Sequence, residues 1–85
     1  MKFTKAQERV LRNSLDTKIH VYSQGAELRA FISDKHMTTV SLNTFFALDK
    51  KGAITQSAKK PHGNHWEGEW IVSDEAKKSL YLELL

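Results

Sequence analysis

The stretch "KIHVYSQGAELRAFIS", residues 18–33, decides the fold, because its second half can form either a strand or a helix. Gln24 and Gly25 can close a two-residue β-hairpin, since glycine tolerates the positive φ that such a turn requires. That turn would pair Val21 with Leu28 and Ile19 with Ala30. Both apolar pairs would fall on one side of the ribbon, as a half-buried hairpin requires.

The alternative for this segment is a helix over residues 26–35, "AELRAFISDK". Leu28, Phe31 and Ile32 would then recur at helical spacing, and periodicity alone does not decide so short a segment. The hairpin is the preferred prediction because its register pairs apolar residues consistently. A turn over "SDKH" would follow, and then a short strand over residues 37–40, "MTTV".

Before this segment, the sequence predicts a first helix from Lys5 to Leu15. Thr4 and Gln7 have the spacing of a capping box, in which each side chain bonds the backbone N–H of the other residue. Apolar residues then recur at helical spacing at Ala6, Val10, Leu11 and Leu15.

After it, a second helix is predicted from Leu42 to Lys51. Ser41 is a suitable N-cap, and Gly52 is the expected residue just past the C-terminus. One side of this helix is apolar and is expected to be core: Leu42, Phe45, Phe46 and Leu48. The opposite side is small, polar or cationic: Asn43, Thr44, Ala47, Lys50 and Lys51.

The C-terminal third is predicted to contain two strands and a helix. A strand starts at "AITQ", residues 53–56, and "SAKKPHGNH", residues 57–65, has the Pro and Gly of a loop. A second strand, "WEGEWIV", would place Trp66 and Trp70 on one face by alternation. Ser73 would then cap a helix over residues 74–85.

Length and composition exclude several classes of protein. The 85 residues fit one domain, residues 1–85, with a net charge of +3. The sequence has no cysteine, which excludes a disulfide scaffold and a Cys-based zinc site and fits a reducing cytoplasm. No apolar run approaches the roughly 20 residues of a membrane span. The first ten residues lack the apolar segment of a signal peptide, so we expect none.

The sequence offers no pattern of an active site. It has no glycine-rich phosphate-binding loop and no local nucleophile–base signature. His62 and His65 could both reach one metal ion, but a site normally needs a third and a fourth ligand. We therefore expect no enzyme activity, no metal and no cofactor.

Two segments, "VSLNTFFALDKKGAI" and "WEGEWIVSDEAKKSL", resemble the winged-helix domains of small prokaryotic and phage regulators. The residues that carry the resemblance are Thr44, Ala47, Leu48, Gly52 and Ile54, then Trp70, Val72, Ser73 and Ala76. The resemblance implies an α+β fold with an N-terminal helix, a β-hairpin, a recognition helix, a two-stranded wing and a C-terminal helix. It covers roughly residues 40–80.

The resemblance implies a transcriptional regulator that binds double-stranded DNA. The helix over residues 42–51 would enter the major groove, and a wing over residues 55–70 would contact phosphates. Local charge agrees, because residues 1–65 hold 11 Lys/Arg and 5 Asp/Glu, a local charge of +6. The predicted DNA-contacting residues are Ser41, Asn43, Thr44, Ala47, Lys50, Lys51, Lys59, Lys60, His62 and Asn64.

The alternative is a protein-binding winged-helix module that docks on a larger protein. The C-terminal tail "SLYLELL" has more apolar residues than one small domain is expected to bury. The predicted interface, for a homodimer or a larger protein partner, consists of Leu80, Tyr81, Leu82, Leu84 and Leu85.

Overall fold

The computed structural model describes residues 2–63 and 65–83, which form three helices and five strands. The helices are α1 (Lys5–Asn13), α2 (Leu42–Lys51) and α3 (Asp74–Glu83). The strands are β1 (Ile19–Gln24), β2 (Glu27–Ile32), β3 (Thr39–Val40), β4 (Ile54–His62) and β5 (His65–Val72). Among the described residues, none of the helices has the length and apolar content to cross a lipid bilayer.

All five strands belong to one antiparallel sheet in the order β3-β2-β1-β5-β4. β1 lies at its centre and pairs with β5 from Ile19 opposite Trp70 to Ser23 opposite Trp66. The predicted winged-helix layout is therefore wrong. The β4–β5 hairpin does not form a separate two-stranded wing, because β5 continues the sheet that β1, β2 and β3 begin.

Residues 18–33 form the predicted hairpin and not the alternative helix, but the predicted register is wrong by two residues. Gly25 and Ala26 form the turn, and Val21 lies opposite Ala30 rather than Leu28. Gly25 has φ +60°, which a glycine adopts without strain. Side chains alternate along a strand, so a shift of two residues keeps each one on its expected face.

α1 begins as predicted and ends earlier. The Thr4–Gln7 capping box is present, with both side-chain-to-backbone bonds formed. The helix stops at Asn13 rather than Leu15, and Ser14 is its C-cap. α3 also begins as predicted, since the Ser73 hydroxyl accepts from the Ala76 N–H at 3.2 Å.

α2 has the predicted bounds, and Gly52 past its end has φ +76°. Phe45 and Leu48 are buried, but Phe46 is 51% exposed, so its predicted core role is wrong. Phe45 and Leu48 project within about 60° of each other, and Phe46 is about 100° beyond Phe45, away from the sheet. Ser41 precedes the helix, but its side chain makes no capping hydrogen bond.

Most of the predicted loop 57–65 is strand instead. β4 continues to His62 and pairs with β5 as far as the His62–His65 pair. A bulge between Gln56 and Ala58 and the proline at position 61 are both tolerated because β4 is an edge strand. The Pro–Gly pattern thus indicated the turn but overestimated its length.

The three helices cover one face of the sheet. The buried cluster takes Leu11 from α1, Phe45 and Leu48 from α2, and Ala76 and Leu80 from α3. From the sheet it takes alternate residues of each strand: Ile19, Val21, Ala30, Ile32, Val40, Ile54, Trp70 and Val72. The other face of the sheet carries no helix within the described residues, and we call it the open face.

Candidate functional site

The predicted DNA-contacting side of α2 is accessible in part. Asn43 and Lys50 are exposed, and Thr44 and Ala47 are half-buried. Ser41, just before the helix, is exposed as well. The exposed Phe46 lies among these polar residues, so this surface of the helix is partly apolar.

Lys51 has a structural partner at the N-terminus of the chain. Its Nζ donates to the Lys2 carbonyl oxygen and to Gln7 Oε1, each at 2.8 Å. The same ammonium lies 5.6 Å from the centre of the Phe3 ring. Lys51 thus fastens the N-terminal segment to the last turn of α2.

Lys59 and Lys60 project from opposite faces of β4. Lys59 lies opposite Gly68 on the helix-covered face, with Nζ 5.1 Å from the Trp66 ring centre. Lys60 lies opposite Glu67 on the open face. The two lysines therefore do not form one basic patch beside α2. The side chain of His62 and the whole of Asn64 lie outside what the structure describes.

The two tryptophans share one face of β5, as alternation predicts. Their ring centres are 6.3 Å apart, and the Trp70 ring meets the buried Phe45 ring edge-on at 5.1 Å. Gly68 lies between them, and a Cβ there would overlap Trp70 Cζ3. Trp70 is thus part of the core, and the pair needs a residue without a side chain at position 68.

The predicted C-terminal interface divides between core and surface. Leu80 is buried in the core, whereas Tyr81 is 61% exposed. Leu82 lies within α3, but its side chain is outside the described part, as are Leu84 and Leu85.

The open face mixes acidic, basic and aromatic side chains. Lys18 Nζ donates to Glu69 at 3.0 Å, and this bond holds the pKa of Glu69 below its ordinary value. His20 stacks on Phe31 with ring centres 5.1 Å apart. Its Nε2 lies 3.9 Å from Glu67. The described residues bring together no group of three His, Asp or Glu side chains that could hold a metal ion.

A groove that the sequence did not predict lies at the β2 edge of the sheet. Its volume is about 740 Å³, and we call it the edge groove. It is lined by Tyr22, residues 27–31, Met37 and residues 39–42. The groove exists because β3 pairs only with Ala30 and Phe31 of β2 before the chain turns away into α2.

The backbone of Leu28 points into the edge groove. Ile32 N–H donates to the Thr38 carbonyl at 2.7 Å, so Ile32 directs its backbone groups toward the β3 side. In an antiparallel ladder, residues two and four positions away point the same way. Ala30 therefore faces β3, and Leu28 faces the same edge where the described chain supplies no further strand.

Met37 forms the rim of the edge groove in an unusual backbone conformation. It has φ +49°, uncommon for a residue other than glycine, and it is 54% exposed. Asp34 organises this loop by accepting from the backbone N–H groups of His36 at 3.0 Å and Thr38 at 3.3 Å. The Thr38 hydroxyl donates to the other carboxylate oxygen at 3.2 Å.

The charge of Asp34 is favoured by these bonds. Partial desolvation acts to raise the pKa of Asp34, but the hydrogen bonds from Thr38, His36 and Met37 together outweigh it. The pKa therefore lies below its ordinary value. An ionised Asp34 holds the loop that presents Met37 to the groove.

Two opposite charges flank Leu28. Glu27 and Arg29 are both exposed, and their side chains meet at 3.4 Å. Both lie on the open face, where Arg29 is paired across the ladder with Tyr22. No local sequence signal indicates this arrangement, because the groove depends on β3 ending after two residues.

Comparison of the chain with protein-family models, with curated proteins and with solved structures found no match.

Proposed function

We propose that this domain is a protein-binding module whose partner docks in the edge groove. The observation that carries the proposal is the Leu28 backbone facing a groove of about 740 Å³ whose lining is apolar in part. Exposed strand edges pair readily with extended segments of other proteins. Because the sequence has no cysteine, which fits a reducing compartment, we propose that the protein acts in the cytoplasm.

The side chains around the groove support a protein partner. Tyr22 and Phe31 line it from the open face, and Leu28 and Leu42 line it from the helix-covered face. Met37 lines it from the loop between β2 and β3. Aromatic residues and methionine are enriched in protein interfaces. The neighbouring charges of Glu27 and Arg29 cancel, which disfavours a polyanion at this place.

Site-specific photocrosslinking tests the proposal. A benzoylphenylalanine in place of Met37 should give a crosslinked protein adduct on irradiation of cells that make this protein. The matched control replaces Thr55, which is also exposed but lies on β4 at the opposite edge of the sheet. An adduct yield at Met37 no higher than at Thr55 rejects the edge groove as the docking site.

Double-stranded DNA binding through α2, as in a transcriptional regulator, is the second candidate. It is favoured by the exposure of Asn43 and Lys50 on one helix. A mobility-shift titration at two salt concentrations tests it, with Lys50→Ala expected to weaken binding and to make the salt dependence shallower. Unchanged affinity and salt dependence in Lys50→Ala and Asn43→Ala together would remove α2 from any DNA interface.

A further inference from the structure

The open part of β2 has the hydrogen-bonding groups of an unfinished sheet. The Leu28 N–H and C=O point outward, and β3 covers β2 only from Ala30 onward. A residue placed opposite Leu28 can accept one backbone hydrogen bond and donate another. Such a pair of bonds requires an extended backbone in the partner.

The other edge of the sheet is built differently. β4 carries Lys59 and Lys60 of like charge, Pro61 without an N–H, and a bulge after Gln56. These features discourage strand addition. Along the open part of β2, Glu27 and Arg29 carry opposite charges. They therefore favour a partner strand that places the complementary charge opposite each of them.

We infer that an extended segment of a partner protein adds to β2 in the antiparallel direction. It places an acidic residue opposite Arg29, an aliphatic residue opposite Leu28 and a basic residue opposite Glu27. Opposite charges directly across a strand pair stabilise the pair, and like charges destabilise it. The inference rests on the proposed protein-binding function and adds the chemistry of the partner.

Two of the three partner residues can be placed against particular parts of the groove. The aliphatic side chain would share the face of Leu28, near Leu42 at the start of α2. The acidic residue would lie at the end of the groove where Ser41 follows β3. Its carboxylate would project on the open face beside the Arg29 guanidinium, which is of opposite charge.

A second copy of this chain has the same acidic–aliphatic–basic order, but the geometry disfavours it. A twofold arrangement that pairs Leu28 with its copy would place Ala26 of that copy opposite Ala30. Val40 already holds that position. A separate peptide avoids the conflict, because its chain is free to bend away before it reaches Val40, whereas Ala26 of a second copy is held in the turn between β1 and β2.

Titration of the labelled protein with short peptides, followed by NMR, tests the inference. The probe is a capped Ser-Gly-Asp-Ile-Lys-Gly-Ser peptide, compared with the charge-reversed Ser-Gly-Lys-Ile-Asp-Gly-Ser peptide. The first should shift the amide signals of residues 27–29 and Met37 and bind about two- to tenfold more tightly. N-methylation of the Ile amide should weaken binding about fivefold or more, because it removes the hydrogen bond to Leu28.

A charge-swapped protein is the decisive control. Glu27→Arg combined with Arg29→Glu should reverse the preference between the two peptides by a similar factor. Signals of residues 27–29 that stay unchanged at millimolar peptide, or a preference that does not reverse, overturn the inference. Sedimentation tests whether a second copy occupies the β2 edge. A concentration-dependent dimer that the charge-swapped protein still forms, but that Glu27→Arg alone does not form, would assign this edge to a second copy. That result would also overturn the inference. If the inference is overturned but photocrosslinking at Met37 still gives a protein adduct, the proposed protein-binding function is retained.

Discussion

Lys51 and Gln7 are joined by a 2.8 Å hydrogen bond between Lys51 Nζ and Gln7 Oε1, which fastens the last turn of α2 to the first turn of α1. The same Gln7 oxygen accepts from the Thr4 N–H at 3.1 Å as part of the capping box. Lys51 also donates to the Lys2 carbonyl oxygen. Lys51, which is predicted from the sequence to contact DNA, thus contributes to the contact between α1 and α2.

Replacing Lys51 should therefore affect stability. Lys51→Ala should lower the free energy of unfolding by about 1 kcal/mol, since it removes charge-assisted hydrogen bonds to Gln7 and Lys2. Lys50→Ala is the matched control, because the neighbouring lysine is exposed and has no such partner among the described residues. Its effect should stay within about 0.5 kcal/mol. Urea unfolding measures both, and equal effects would contradict a structural role for Lys51.

The adjacent phenylalanines of α2 should differ strongly in their contribution to stability. Phe45 is 3% exposed and packs on Trp70, so Phe45→Ala should cost about 3–5 kcal/mol. Phe46→Ala should cost about 1 kcal/mol or less, because that ring is already half in solvent. Thermal unfolding of both variants measures the difference. A large loss of stability from Phe46→Ala would mean that its ring is more deeply packed than the structure places it.

The contrast between these two rings indicates what the sequence could predict. The bounds of α2 follow from local chemistry, with Ser41 before the helix and Gly52 in a left-handed conformation after it. Which part of the apolar side is buried depends on where the sheet lies. That position is set by pairing of β1 with β5, which are more than 40 residues apart in the chain. Local periodicity does not contain this information.

The candidate sites, too, depend on long-range structure that the local sequence does not indicate. Lys59 and Lys60 are both predicted to contact DNA phosphates from the wing, but they lie in a strand, where adjacent residues face opposite ways. The edge groove was not predicted, because it results from the lengths of β2 and β3 rather than from a motif. The hairpin of β1 and β2 was predicted with the correct faces, since a two-residue error in register does not change them.

Gly68 should tolerate no side chain without loss of core packing. Gly68→Ala would bring a methyl group into overlap with Trp70 and within 3.2 Å of Trp66 Cζ3, so we expect a loss of about 1–3 kcal/mol. Tryptophan fluorescence of the folded protein should change as well, because both rings must move. Gly25→Ala is the control. The methyl group added there meets open space, so only the positive φ of position 25 lowers the free energy of unfolding, by about 1 kcal/mol. The fluorescence of this variant should not change. Identical fluorescence in both variants would contradict the close packing around Gly68.

The loop that holds Met37 should lose its order in acid. Because the pKa of Asp34 in the folded protein lies below its ordinary value of 3.8, its ionised form favours folding. This contribution is fully present above about pH 4 and is lost as the pH falls through the folded-state pKa. In Asp34→Asn the contribution is absent at every pH, so the difference in stability between the two proteins should shrink between pH 5 and pH 2. NMR spectra over this range should show the amide signals of His36 and Thr38 shifting together in the wild type, since both N–H groups bond the same carboxylate oxygen. A stability difference that does not depend on pH, with no common transition of these two signals, would mean that Asp34 does not hold the loop through its charge.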